Sequence, residues 1–173
     1  MIDQTTTISN KSVVAKIRNR DKTAEVIRFK SPEDDFVIPK YIEYNNEKYC
    51  IIIIGTNAFS GSSVRSVTLA HDSCVESIEK LAFGHCNMLE SVNIQSSLIK
   101  KLDSSCFSRC QKLLKVTIHT ENDIEIYPNV FDRCNSLIEV KITTSKTLHL
   151  ISDCFNEAES IKKVEFKGKD VII

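Results

Sequence analysis

The sequence predicts a solenoid in which parallel strands stack coil on coil into a sheet on the concave face. Short helical or 3₁₀ turns and loops occupy the convex side, and a β-hairpin caps the N-terminal end. Three observations predict it. Five phenylalanines recur every 24 residues, the hydrophobic period inside each unit changes from three to two, and the first 50 residues do not follow the repeat.

The non-periodic stretch comes first along the chain. Val13, Ala15 and Ile17 alternate with polar residues, Asn19-Arg-Asp-Lys22 reads as a turn, and Glu25-Val-Ile-Arg-Phe29 returns as a strand. Phe36-Val-Ile-Pro39 and Tyr41-Ile-Glu-Tyr44 lead to Asn45-Asn46, a pair that tolerates the left-handed conformation of a tight hairpin. Lys48 to Ile54 then carries the chain into the first coil. A solenoid needs a different element at its ends to keep water off its first row of side chains. Residues 1–50 are therefore expected as an N-terminal β cap and residues 51–173 as about five coils, together a single structural domain.

The repeat is anchored on Phe59, Phe83, Phe107, Phe131 and Phe155. Five residues before each ring lies Ile54, Ile78, Leu102, Ile126 or Leu150. After the rings come Leu89, Leu113, Leu137 and Ile161, then Val92, Val116, Val140 and Val164, then Ile94, Ile118, Ile142 and Phe166. The first unit is one residue shorter in its middle and uses Val64, Val67 and Leu69. Phe107, Cys110 and Leu113 recur every three residues, as one face of a short helical turn would, whereas Val116 and Ile118 recur every two, as a strand requires. Stacked strands lie about 4.8 Å apart. No unit can cover its own apolar side, so stability resides in the interfaces between neighbouring coils.

Composition narrows the function. Lys plus Arg and Asp plus Glu both number 23, so no net charge favours nucleic acid or an anionic membrane as partner. With 42% hydrophobic and 27% charged residues the chain is too apolar for disorder, and its longest aliphatic run, Ile51–Ile54, is too short to span a bilayer. The start, Met1-Ile-Asp-Gln, has neither the basic nor the apolar region of an export signal. The chain stops at Val171-Ile-Ile173, one residue before the slot of a sixth Ile or Leu. An uncapped last coil is expected there, in a truncated repeat protein or one that self-associates through this end.

The cysteines follow the repeat. Cys86, Cys110 and Cys134 share one slot, Cys106 and Cys154 another, and Cys50 and Cys74 are also 24 apart. Seven thiols without an export signal are expected to be free and to pack in the interior. The alternative is a disulfide between neighbours one coil apart, which come near bonding distance although the parallel side chains of a ladder rarely offer the needed dihedral. Cys106-x-x-x-Cys110 lacks the further ligands that zinc needs, so no metal site is expected. His71, His85, His119 and His149 fall in different slots, and the one adjacent pair, His85 and Cys86, diverges because Cys86 belongs to an inward column. No glycine-rich phosphate loop occurs. No catalytic residue and no cofactor are therefore expected.

Binding, if any, belongs to the inner sheet, whose outward side chains form rows on a rigid frame. The candidate residues are Ser91, Asn93, Gln95, Lys115, Thr117, His119, Glu139, Lys141, Thr143, Lys163, Glu165 and Lys167, preceded by Ser66, Thr68 and Ala70 on the first coil. Small and amide groups give way to Lys and Glu along the rows, and no aromatic anchor is among them.

Leu89-x-x-Val92-x-Ile94 has the spacing of a leucine-rich repeat. Ala82-Phe-Gly-His-Cys-Asn-Met-Leu89 and Cys106-Phe-Ser-Arg-Cys-Gln-Lys-Leu113 resemble, more narrowly, the BspA-type repeats of bacterial and protozoan surface proteins. Val37-Ile-Pro39 followed by Tyr44-Asn-Asn-Glu-Lys-Tyr49 is similar to the hairpin preceding the first repeat in that family, so the resemblance covers residues 36–173. Gln95, His119 and Thr143 stand where the family places a proline after the strand. The resemblance implies a leucine-rich repeat horseshoe and a non-catalytic module that binds a host or cell-surface protein, as surface antigens and adhesins do. It places the protein at the cell surface or outside the cell, whereas the absent export signal taken at face value places it in the cytoplasm. The alternative is an intracellular interaction scaffold, or a fragment of a larger repeat protein without independent function.

Overall fold

Side chains that alternate in and out with a fixed spacing between coils can pair only in parallel and in register, and they do so. The computed structural model describes residues 5–151 and 153–172, and Ile173 of the final apolar run lies outside them. The strands are β1 (Thr5–Ser9), β2 (Val13–Arg18), β3 (Thr23–Phe29), β4 (Asp35–Val37), β5 (Tyr41–Tyr44), β6 (Glu47–Ile54), β7 (Ser66–Leu69) and β8 (Ser77–Ile78). They continue with β9 (Ser91–Gln95), β10 (Lys101–Leu102), β11 (Lys115–Thr120), β12 (Ile124–Ile126), β13 (Glu139–Thr144), β14 (Thr147–Leu150), β15 (Lys163–Lys167) and β16 (Asp170–Ile172).

Two sheets run along the solenoid. The longer strands form one, in the order β15-β13-β11-β9-β7-β4, all parallel. Its inner face carries the expected column: Val92, Val116 and Val140 pair across strands, as do Ile94, Ile118 and Ile142. The second sheet, β1-β2-β3-β6-β8-β10-β12-β14-β16 with β5 beside β6, carries Ile54, Ile78, Leu102 and Ile126. Its strands lengthen where the sequence changes period. β8 and β10 follow Val75 with Ile78 and Ile99 with Leu102, while β12 and β14 place Ile124 with Ile126 and Leu148 with Leu150, two apart, as an extended chain needs.

The expected helical turns are not helices. Among the described residues the convex side is a run of tight turns. The N–H groups of Ala82, Gly84 and Cys86 donate three residues back, to the carbonyls of Glu79, Leu81 and Phe83. The residues between them donate along the solenoid axis instead: Leu81 to Ser104, Phe83 to Cys106 and His85 to Ser108. Left-handed residues recur with the period, at Asn57, Leu81, Ser105 and Asn129, and at Gly61, His85, Arg109, Arg133 and Glu157. Each reversal of φ ends a helical turn after one cycle and aims the next N–H at the neighbouring coil. The three-residue spacing of Phe107, Cys110 and Leu113 thus comes from successive turns, and the turn layer is a third hydrogen-bonded ladder.

The interior is one aromatic column. Phe59, Phe83, Phe107, Phe131 and Phe155 stack with centroids 4.6, 5.2, 6.0 and 5.5 Å apart. Phe29 stacks on Phe59 at 4.6 Å, Phe36 meets Phe29 edge-on at 4.8 Å, and Phe166 stacks on Phe155 at 6.0 Å, so all eight phenylalanines lie in it. Phe29 is in place because the chain before the first repeat makes an abbreviated coil. β3 pairs parallel with β6, the Gly55 N–H donates to Val26 as that of Glu79 does to Ile54, and β4 pairs parallel with β7. Gly55 sits where a Cβ would lie 2.7 Å from the Val26 carbonyl, so no larger residue fits this approach without a shift. The expected hairpin forms between β5 and β6, with Asn45 and Asn46 at φ 51° and 61°.

Candidate binding face

The rows predicted on the inner sheet are brought together by strand register. Ser91, Lys115, Glu139 and Lys163 align in one row, Asn93, Thr117, Lys141 and Glu165 in the second, and Gln95, His119, Thr143 and Lys167 in the third. All are exposed or half-buried, while the residues between them on β9, β11 and β13 are buried. The alternation of a strand makes this division: one side chain enters the column and the next stands on the face.

The charges on the face are largely matched between coils. Glu139 receives Lys115 at 3.0 Å from one side and Lys163 at 3.0 Å from the other, and Lys141 meets Glu165 at 3.2 Å. Hydrogen bonds from Lys163 and then Lys115 hold the Glu139 carboxyl below its usual range, and Glu139 in turn holds the Lys163 ammonium above its own. The Gln95 amide donates to Asn93 at 3.0 Å, and His119 Nδ1 lies 3.0 Å from Thr143 Oγ1. At the C-terminal ends of the strands an open depression of about 420 Å³ is lined by His119, Lys141, Thr143, Ser145, Glu165 and Lys167.

The face also has members that the period does not reveal. On β4, Asp35 and Val37 extend the first and second rows, with Val37 60% exposed and Asp35 accepting a 2.6 Å hydrogen bond from Ser66. The alternation Phe36-x-Ile38 is the signal that finds them, since it matches Val67-x-Leu69. Exposed aromatic surface lies on the hairpin, at Tyr41 and Tyr44, with Lys40 and Lys48 near the Tyr41 ring.

His85 and Cys86 do diverge. His85 is exposed in a left-handed turn, and Cys86 is buried with its thiol donating to the Phe59 carbonyl at 3.0 Å. Cys110 and Cys134 donate likewise to Phe83 and Phe107 at 3.1 Å, so this thiol column ties each coil to the one before. Burial pushes the Cys106 and Cys110 thiols well up, and that of Cys154 up to about 11. The expectation of seven free thiols is corrected at the remaining two: Cys50 and Cys74 are joined as a disulfide. One coil of offset brings their Cα atoms to 6.1 Å, within disulfide reach, and Cys74 precedes β8, where no strand ladder fixes the direction of its side chain. Among the described residues no group of three or more His, Cys, Asp or Glu could hold a metal ion, and no helix is long and apolar enough to cross a membrane.

The model of the BspA type leucine rich repeat region matches residues 52–173 in 6 copies. Among solved structures, a leucine-rich repeat protein from Bacteroides capillosus is similar at 25% identity and TM-score 0.68, over 79% of this chain and 97% of that one. The leucine rich repeat protein of T. pallidum shares the fold at 18% identity and TM-score 0.69, over 94% and 86% of the two chains. A leucine rich cell surface protein from Faecalibacterium prausnitzii does so at 18% identity and TM-score 0.61, over 98% of this chain and 56% of that one. No curated protein matches the sequence.

Proposed function

The chain belongs to the BspA-type leucine-rich repeat family, and from that premise we propose that it is a non-catalytic protein-binding module displayed at the cell surface. The observation that carries this reading is the face of three registered polar rows, held by strands whose other side is buried in the aromatic column. A rigid row of hydrogen-bonding groups fits an extended surface on another protein, and it loses little conformational entropy on binding. The disulfide and the printed name of the Faecalibacterium prausnitzii protein support a place outside the cytosol.

The proposed contact spans Ser91, Asn93, Gln95, Lys115, Thr117, His119, Glu139, Lys141, Thr143, Lys163, Glu165 and Lys167. Pull-downs on immobilised extracellular host and cell-surface proteins test it. Lys141→Glu and Lys163→Glu are expected to weaken retention roughly tenfold, and Arg109→Glu and Arg133→Glu on the turn layer to leave it nearly unchanged. The opposite ranking refutes the face. Protease shaving of intact cells tests the location, and a chain that stays protected until lysis refutes surface display.

Self-association is a second proposed contact. Val164 on β15 and Val171 and Ile172 on β16 are exposed apolar residues on the end strands of the two sheets, and we propose that these edges pair with another copy. Light scattering that finds only monomer at every concentration rules this contact out.

A further inference from the structure

We propose that Cys50 and Cys74 form a reversible redox site that clasps the N-terminal hairpin to the repeat. Their position sets them apart from the other cysteines. Cys86, Cys106, Cys110, Cys134 and Cys154 are free and buried, and burial suppresses thiolate at Cys106, Cys110 and Cys154. Cys50 and Cys74 are partly exposed and joined to each other.

The bond sits at the first of the steps at which the second sheet narrows to two paired residues. β6 is held by β3 on one side and, along its first half, by β5 on the other, with Cys50 paired to Thr23 and to Tyr41. Beyond that half, β6 meets the repeat through β8 alone, over Ile53↔Ser77 and Ile54↔Ile78. The only other cross-tie between described side chains of the hairpin approach and the 70–75 loop is the exposed ion pair of Lys40 and Asp72 at 3.5 Å. A disulfide here restrains a step that few backbone hydrogen bonds secure. The equivalent steps further along lack such a pair and are tied instead by polar side chains that donate to carbonyls of the coil before: Ser96 to Val75, Thr120 to Ile99 and Asn122 to Ser97.

The chemistry is thiol–disulfide exchange with a dithiol. The reductant's thiolate attacks one sulfur, the Cys50–Cys74 bond breaks, and the second thiol of the reductant displaces the mixed disulfide. Two electrons and two protons pass to Cys50 and Cys74, and the reductant becomes a disulfide. The reverse step uses a disulfide oxidant of the same class. The clasp is therefore closed in an oxidising compartment and open in a reducing one.

The test is alkylation of the native, air-oxidised full chain followed by peptide mass spectrometry, with dithiothreitol as the reductant. No cysteine is expected to be labelled without dithiothreitol, and Cys50 and Cys74 alone after it. Hydrogen exchange of amides in residues 41–54 is expected to rise severalfold on reduction while β11 and β13 stay unchanged, and the melting temperature to fall by roughly 5–10 °C. The Cys50→Ser/Cys74→Ser variant is expected to match the reduced protein and to ignore dithiothreitol. If that variant does not fold, the reduced wild-type chain supplies the same comparison. Labelling of Cys50 and Cys74 in the air-oxidised chain, or exchange in 41–54 that is indifferent to dithiothreitol, overturns the proposal.

Discussion

The coil around Phe107 and the coil around Phe155 are built on the same spacing, yet one is core and the other is half surface. Phe107 is fully buried between two rings, and Val116 on the strand that follows it is 0% exposed. Val164, in the same slot two coils later, is 43% exposed, and Phe155 is only partly buried. The residues are alike, so the difference lies in the neighbour: an inward side chain is covered by the next coil as much as by its own. The thiol column shows the same thing chemically. Cys110 and Cys134 donate to the Phe carbonyl of the coil before, whereas Ala158 occupies that slot on the last described coil and has no side-chain donor.

Substitutions at matched slots sharpen this contrast. Phe107→Ala is expected to destabilise by about 3–5 kcal/mol, and Phe155→Ala by about 1–2 kcal/mol, in urea titrations followed by circular dichroism. Equal losses would mean that burial is not set by the neighbouring coil. Cys110→Ala removes a buried thiol and its bond to the Phe83 carbonyl, for an expected cost of about 1–2 kcal/mol. The equivalent exchange at the last coil already exists as Ala158, so Ala158→Cys is expected to recover less than Cys110→Ala loses.

The smallest effect belongs to the face. The Glu139 carboxyl is held below its usual range by Lys163 and Lys115, so its contribution is present above the unfolded carboxylate pKa of about 4 and is lost as pH falls through the lowered folded value. NMR titration is expected to find that value below those of unpaired glutamates, and Glu139→Gln to remove the acid-side loss at this site. The groups are solvated, so melting at neutral pH is expected to change little.

The sheet of longer strands was legible in the sequence because Val116 and Ile118 alternate and because a slot such as Val92, Val116 and Val140 never slips. The second sheet was not expected, since β8 and β10 are only two residues long and show no alternation. The turn layer was not legible in the same way. Leu81, His85, Arg109 and Arg133 take left-handed φ, a conformation that side chains like these rarely announce, and only the axial hydrogen bonds explain them. The abbreviated coil of β3 and β4 escapes the period because Phe29 and Phe59 are 30 residues apart rather than 24. Period-two alternation at Phe36 and Ile38 still marks its strand. The rows of the face follow from alternation alone. Their pairing was half legible: Lys115, Glu139 and Lys163 are 24 apart, and opposite charges one coil apart must meet. The Cys50–Cys74 bond was the least accessible, since the same spacing joins these two and leaves Cys86 and Cys110 as buried thiols that donate to the Phe59 and Phe83 carbonyls.

If energy passes only between adjacent coils, rings that touch must be coupled and rings that do not must act independently. Double-mutant cycles with Phe→Leu at Phe83 and Phe107, and at Phe59 and Phe131, measure this directly. The stacked column predicts a coupling of about 0.5–1.5 kcal/mol for the adjacent pair and additivity to within about 0.5 kcal/mol for the separated pair. Equal coupling in both cycles, or none in the first, would contradict it.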